Sequence, residues 1–244
     1  MSGEPFFLVD PLPTPGPFRL TGAEGRHAAT VRRLRVGEHL VLVDGSGGFA
    51  SATVTQVGRG ELSVDIGPGE QLEPPAVRVR LVQAVPKGDR GELAVELATE
   101  AGVDGVVPWA AARCVARWTV ERAGHGVERW RAAAREAAKQ SRRPFVPPIA
   151  ELANTQAVAE LIRQADAALV LHESAPAPLQ AAELPQRGDV VLIVGPEGGL
   201  TEEELTVFCA AGAVPVRLGP QVLRTSTAGA VALGALGVLT GRWT

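Results

Sequence analysis

Leu62-Ser63-Val64-Asp65-Ile66 alternates apolar and polar side chains, the two-residue period of a strand with one buried face. Two short β-rich runs precede it, at 40–44 and 52–57, with Gly45-Ser46-Gly47-Gly48 between them. Short strands at this spacing predict a small β-barrel over residues 1–72, with a helical turn or two over 26–35. The stretch 67–75, Gly-Pro-Gly-Glu-Gln-Leu-Glu-Pro-Pro, is rich in turn residues and predicts a linker.

From residue 77 the pattern changes. Continuous apolar runs appear at 168–171 and 190–194, as in parallel strands buried on both faces. Further strands are predicted at 77–84, 105–108 and 214–218, and helices at 92–101, 127–140, 201–211 and 227–239. In the first helix Leu93, Leu97 and Ala101 share one face, and Gly102 stands where a C-cap belongs. In the third, Thr201 and Glu204 have the spacing of a capping box. Strands alternating with helices predict an α/β domain with a mainly parallel sheet over 77–244.

Composition adds three constraints. The chain has 244 residues, 45% apolar and 21% charged, which suits a globular protein with a real core. No apolar run is long enough for a membrane span, and residues 1–10 lack the basic and apolar regions of a signal peptide, so a cytoplasmic location is expected. Cys114 and Cys209 form no CxxC pattern and are expected to be small buried residues; no metal-ligand cluster is visible.

The net charge of −3 argues weakly against a nucleic-acid partner, but its distribution argues the other way. Residues 113–143 hold nine Lys/Arg against three Asp/Glu. Screening acts over about 8 Å in a molecule with a radius of gyration of about 18 Å, so a phosphate responds to the local patch.

Three segments are candidates for chemistry because each follows a predicted parallel strand, where open α/β sheets bind ligands. The first runs from Val194 through Gly195, Pro196, Glu197, Gly198 and Gly199. Its glycines allow close backbone approach to a ligand. It is neither a GxGxxG fingerprint nor a P-loop, which favours a flat nucleoside over a pyrophosphate; an ordinary strand-to-helix turn is the bland alternative. The second contains Leu218, Gly219, Val222, Leu223, Arg224, Thr225, Ser226, Thr227 and Ala228, where a hydroxyl side chain as helix cap is the alternative. The third is Leu171-His172-Glu173. His172 invites a general-base role, although a lone His at a strand end is more often structural. Gln140, Arg142 and Arg143 end a helix before Pro144, and Arg32, Arg33 and Arg35 cluster near the N-terminus. Both groups suit phosphate contact or a solvated basic surface.

Taken together, these segments resemble the ribosomal RNA small subunit methyltransferase E family of the SPOUT superfamily. The resemblance is carried by Arg26-His27, the run from Arg32 to Glu38, residues 87–102 and 136–148, the Gly195–Leu200 loop and the Leu218–Ala228 segment. It spans nearly the whole chain, and the two loops in this order are specific where either alone is weak. The resemblance implies a PUA-like RNA-binding barrel, a SPOUT α/β domain with a deep trefoil knot, and a homodimer. It implies S-adenosylmethionine bound in the knotted loops, and methylation of uridine N3 in 16S rRNA of the 30S subunit. RNA contacts are expected at Arg26, Arg32, Arg33, Arg35, Lys87, Arg113, Gln140 and Arg143. Where the family often has Glu, this chain has Ser226, so no carboxylate base is named.

The methyl donor brings its own electrophile, leaving the protein to align the acceptor and control its proton. Arg224 or Arg142 is the expected source of positive charge for the uracil carbonyls, and the base must leave any pairing to expose N3. Two rivals remain at this point. One is a non-catalytic RNA-binding protein. The other is a nucleotide-dependent oxidoreductase, against which the missing GxGxxG and acidic ribose partner count.

Overall fold

Three prolines, at 11, 13 and 15, follow the first strand and shape how the N-terminal sheet ends. Its strands are β1 (Phe6–Leu8), β2 (Gly16–Leu20), β3 (His39–Val43), β4 (Gly48–Gly58) and β5 (Glu61–Gln71). In the computed structural model, which describes residues 3–116, 118 and 120–243, they lie in the order β1-β3-β4-β5-β2. β1 runs parallel to β3 and the other pairs are antiparallel. β1 and β2 stand at opposite ends of the sheet, and no pairing joins them among the described residues. The sheet is therefore open where the sequence predicts a closed barrel. The prolines between β1 and β2 have no N–H to donate to a ladder.

β5 also runs further than its alternating pattern predicts, through Gly67-Pro68-Gly69 to Gln71, and takes in much of the expected linker. The register shifts there: Ala52 pairs with Ile66 and Ala50 with Gly69. Two residues of β5 thus oppose one of β4, a bulge that admits Pro68 without breaking a ladder bond. Phe7, Leu40, Leu42, Leu62 and Val64 fill one core cluster of this sheet, and Phe6, Leu8, Val41, Val43 and Phe49 fill another. Alternating residues of β3 fall in different clusters, as its two-residue period requires.

The predicted helical turns near residue 26 are α1 (Gly22–Arg26) and a π-helical turn over His27–Val31. The N-terminal unit comprises Met1–Pro74 together with Ala138–Val146. Within it, Lys139 Nζ lies 2.8 Å from Glu24 Oε1, and both side chains are largely buried.

The C-terminal unit comprises Pro75–Ala137 and Pro147–Thr244. Its strands are β6 (Val77–Ala84), β7 (Gly105–Trp109), β8 (Ala167–Leu171), β9 (Gly188–Val194) and β10 (Val214–Val216). They are ordered β10-β8-β9-β6-β7 and every pair is parallel. The helices are α2 (Arg90–Glu100), α3 (Val120–Gln140, whose residues from Ala138 on belong to the N-terminal unit), α4 (Thr155–Gln164), α5 (Glu202–Ala210) and α6 (Thr225–Leu239). Trp109, Val158, Ile162, Ile193 and Phe208 belong to one cluster, which draws in α4 and α5. α2 and α6 pack together, and α6 lies over β6 and β9.

Two expectations fail here, and one helix was not foreseen. α2 buries Ala94, Val95 and Ala98, while Leu93 is exposed; small side chains let α2 approach α6 closely, and the larger Leu93 turns outward. Cys114 is buried as expected, but Cys209 is exposed. The unforeseen helix α4 is capped by Asn154, whose side chain accepts from Ala157 N at 2.8 Å. The capping box of α5 is present as read, with Glu204 N donating to Thr201 Oγ1 at 3.1 Å and Thr201 N to Glu204 Oε2 at 3.0 Å. No helix among the described residues is long and apolar enough to cross a membrane.

Candidate functional site

Parallel strands deliver their carboxyl ends to one edge of a sheet. At that edge of the C-terminal unit the loops after β8, β9 and β10 enclose a cavity of about 610 Å³. All three predicted loops line it: Leu171, His172 and Glu173; Val194 through Gly199; and Leu218, Gly219, Val222, Leu223, Thr225 and Ala228. Arg224 lines it as well. Ser226 and Thr227 do not: Ser226 is buried and Thr227 half-buried in the first turn of α6. Arg142 lies in the N-terminal unit and is absent from the cavity wall.

Arg90 and Arg217, which the sequence did not single out, also line the cavity, as do Arg113, expected at RNA, and Leu200 and Gln221, which stand in the two candidate loops without having been assigned to the cofactor. Arg90 and Arg113 follow β6 and β7. The strand-end rule that found the other loops applies to these strands too, and was the signal available.

Hydrogen bonds fix the wall. Arg113 Nη1 donates to the carbonyls of Gly198 and Leu200, both at 3.2 Å. A Cβ on Gly198 would sit 3.1 Å from Arg113 Cβ, so the close approach of these loops depends on glycine. Arg113, expected to contact RNA, is here a clamp on the glycine-rich loop. Glu204, 4% exposed, accepts from Ala112 N at 2.7 Å with one oxygen while the other serves the cap. One carboxylate thus ties the loop after β7 to the loop after β9. Lys87 N donates to Glu197 Oε1 at 3.2 Å.

Beneath the cavity, Thr225 Oγ1 donates to the Gly195 carbonyl at 2.6 Å and accepts from buried Gln83 Nε2 at 3.1 Å. Gln83 Oε1 is buried and has no hydrogen-bond partner among the described residues. His172 Nδ1 accepts from Ser174 N at 3.3 Å, which gives the imidazole a local structural bond. Cys114 lies behind the loops, where burial pushes its thiol pKa up and outweighs the backbone hydrogen bonds of Ala111 and Val85.

The remaining predicted residues are in the N-terminal unit. Arg26, Arg32, Arg33, Arg35, Gln140 and Arg142 are exposed there, and Arg143 is half-buried. Arg33 and Arg142 adopt positive φ, 53° and 55°.

Comparison with known proteins gives this geometry a lineage. Residues 73–237 match the model of an RNA methyltransferase domain, and residues 20–67 that of an RNA methyltransferase PUA domain. The ribosomal RNA small subunit methyltransferase E of Mycobacterium tuberculosis is 51% identical, over 97% of this chain and 92% of that protein. Its namesake from Bacillus subtilis is 31% identical, over 95% and 93%. The crystal structure of a ribosomal RNA small subunit methyltransferase E from Neisseria gonorrhoeae bound to S-adenosyl methionine superposes with a TM-score of 0.85. It is 28% identical and covers 97% of this chain and 98% of its own. With a PUA domain, a parallel-sheet methyltransferase domain and this degree of identity along its length, the chain belongs to the ribosomal RNA small subunit methyltransferase E family.

Proposed function

We propose that this protein uses S-adenosylmethionine to methylate N3 of a uridine in 16S rRNA. The observation that carries the reading is the convergence of three strand-end loops on one cavity, in a chain whose family is named for this class of reaction. The cavity fits the donor. Its 610 Å³ lies in the range of small-molecule sites. Leu171, Leu218, Val222 and Leu223 offer apolar walls to an adenine, and Thr225 and the loop backbone offer polar contacts. The donor supplies the activated methyl group; the chain supplies alignment and charge. Arg224 adds positive charge to the cavity, which favours negative charge developing on the uracil carbonyls. Arg142, in the other unit, is the weaker of the two arginines for that role.

Other parts of the reading concern architecture. From β10 at the sheet edge the chain returns to α6 over β6 and β9, a path that supports a trefoil knot. The N-terminal unit, matched as a PUA domain, is the RNA-binding part, with Arg26, Arg32, Arg33, Arg35, Gln140 and Arg143 as contacts and Lys87 as a contact from the C-terminal unit. A homodimer is supported by apolar side chains left exposed on and beyond α6, among them Val238 (72%), Trp243 (56%) and Val231 (45%). The setting is the cytoplasm, on 30S particles.

Calorimetric titration with S-adenosylmethionine, and mapping of modified bases in 16S rRNA from cells lacking the protein, test the reading. One N3-methyluridine is expected to disappear and to be restored on 30S particles by purified protein. Absence of donor binding would favour the rival reading of an RNA-binding protein without catalysis.

A further inference from the structure

A second cavity, of about 640 Å³, opens beside the first in the same unit. Its wall includes Lys87, Asp89, Arg90, Leu93, Val115 and Glu197. Arg90 and Glu197 line both cavities, so the two spaces meet at a wall carrying one cation and one carboxylate. The Lys87 backbone N–H holds Glu197 at 3.2 Å and brings a second cationic side chain to the same place. Leu93 and Val115 are 43% and 62% exposed, apolar surfaces at the mouth without an obvious role in the fold.

Methyl transfer needs the acceptor atom within about 3–3.5 Å of the methyl carbon, so the acceptor must occupy space continuous with the donor cavity. The second cavity meets that condition. The chemistry of the shared wall also selects among bases. The Watson–Crick edge of uracil presents acceptor, donor, acceptor: O4, N3–H and O2. Lys87, Glu197 and Arg90 can present donor, acceptor, donor. Cytosine, with an amino donor at C4 and an unprotonated N3, mismatches the carboxylate and leaves a charge unpaired, which hydrogen-bond-reading sites reject strongly.

We propose that the second cavity is the acceptor site, taking a flipped-out uracil whose edge is read by Glu197, Arg90 and Lys87 while Leu93 and Val115 cover its faces. This rests on the donor occupying the first cavity. Glu197 accepts the N3–H hydrogen bond and takes that proton as N3 bonds to the methyl carbon, the C–S electron pair staying on the departing thioether sulfur. Arg90 and Lys87 hold the carbonyl oxygens, where negative charge gathers as the proton leaves.

The test separates the two cavities. Donor affinity is measured by calorimetry, base preference by saturation-transfer NMR with uridine and cytidine 5′-monophosphates, and methyl transfer on undermodified 30S particles across pH. Lys87→Ala, at a residue that lines the second cavity and not the first, is expected to keep donor affinity within about threefold, because its side chain contacts the acceptor. Glu197→Gln is expected to slow transfer by about a hundredfold or more, and its rate to climb about tenfold per pH unit as hydroxide replaces the lost base. The wild-type protein should favour the uridine nucleotide. Arg90→Ala should weaken that preference, and Glu197→Gln should narrow it, since an amide can also donate to cytosine N3.

Equal binding of both nucleotides by the wild-type protein overturns the proposal. So does donor affinity that falls in step with rate in Lys87→Ala, which would assign the second cavity to the donor, and so do variants with wild-type rates. Failure of the wild-type protein to bind S-adenosylmethionine would instead remove the methyl-donor reading, with the nucleotide preference still deciding whether the second cavity reads uracil.

Discussion

The two sheets of this protein place their loops differently. In the N-terminal unit β4 and β5 are antiparallel and joined by a tight hairpin at Arg59-Gly60, so a short turn closes those strand ends. In the C-terminal unit all the strands are parallel. Successive strands must be joined by long crossovers, and the carboxyl ends of five strands gather at one edge. The first arrangement offers surfaces that suit a large charged partner. The second offers a recess that suits a small ligand. Strand direction thus decides which unit offers a recess and which offers a surface.

That division is open to attack from either side. The largest expected effect is on the N-terminal unit. Lys139→Met leaves the Glu24 carboxylate largely buried without its ammonium partner and should cost about 3 kcal/mol in urea unfolding, while S-adenosylmethionine affinity stays unchanged. Adding Glu24→Leu should restore most of the loss. A parallel fall in donor affinity would show that the units are not independent.

Next in size is Glu204→Ala in the C-terminal unit. It orphans the N–H groups of Ala112 and Thr201 and should cost about 2 kcal/mol. Because the same carboxylate joins two cavity loops, donor affinity should drop by about tenfold as well, about 1.4 kcal/mol. Unchanged affinity would mean that the loops hold their shape without it.

The smallest effect is a reactivity contrast. Burial raises the Cys114 pKa, so at a given pH it presents less thiolate than an unperturbed thiol, and it is shielded besides. Iodoacetamide should label exposed Cys209 first, with Cys114 reacting as the C-terminal unit opens. Raising the pH should speed Cys114 only above the ordinary thiol range. Equal labelling of both in the native protein would show the loops opening freely.

The parallel sheet was legible because its strands are buried on both faces. The runs ending at Leu171 and Val194 carry unbroken apolar stretches, and the glycine-rich loop follows the second of them. The capping box at Thr201 and Glu204 and the turn at Gly102 were readable for local reasons, a side-chain spacing and a positive φ of 92°. The N-terminal sheet was read less well. β5 passes through Pro68 by a bulge that depends on its partner strand, and β1 has three residues, too few for a period. At the site, Arg90 was not named, and Arg113 was expected at RNA and not on the cavity wall, because the glycine-rich loop that shares this wall is distant in sequence, with Gly198 85 residues beyond Arg113. Leu93 was grouped with Leu97 and Ala101 by helical spacing, whereas the helix buries Ala94, Val95 and Ala98 and leaves Leu93 exposed.

The Thr225 hydroxyl has a single proton, already given to the Gly195 carbonyl, and one lone pair already receives Gln83. Toward anything in the cavity it can therefore only accept. That polarity is set from below, by a strand residue 142 positions away in sequence. A ligand group that donates will find a partner at Thr225; an isosteric one that accepts will meet two opposed lone pairs. Chemists designing inhibitors for this cavity thus have one fixed hydrogen-bond direction before any complex is solved.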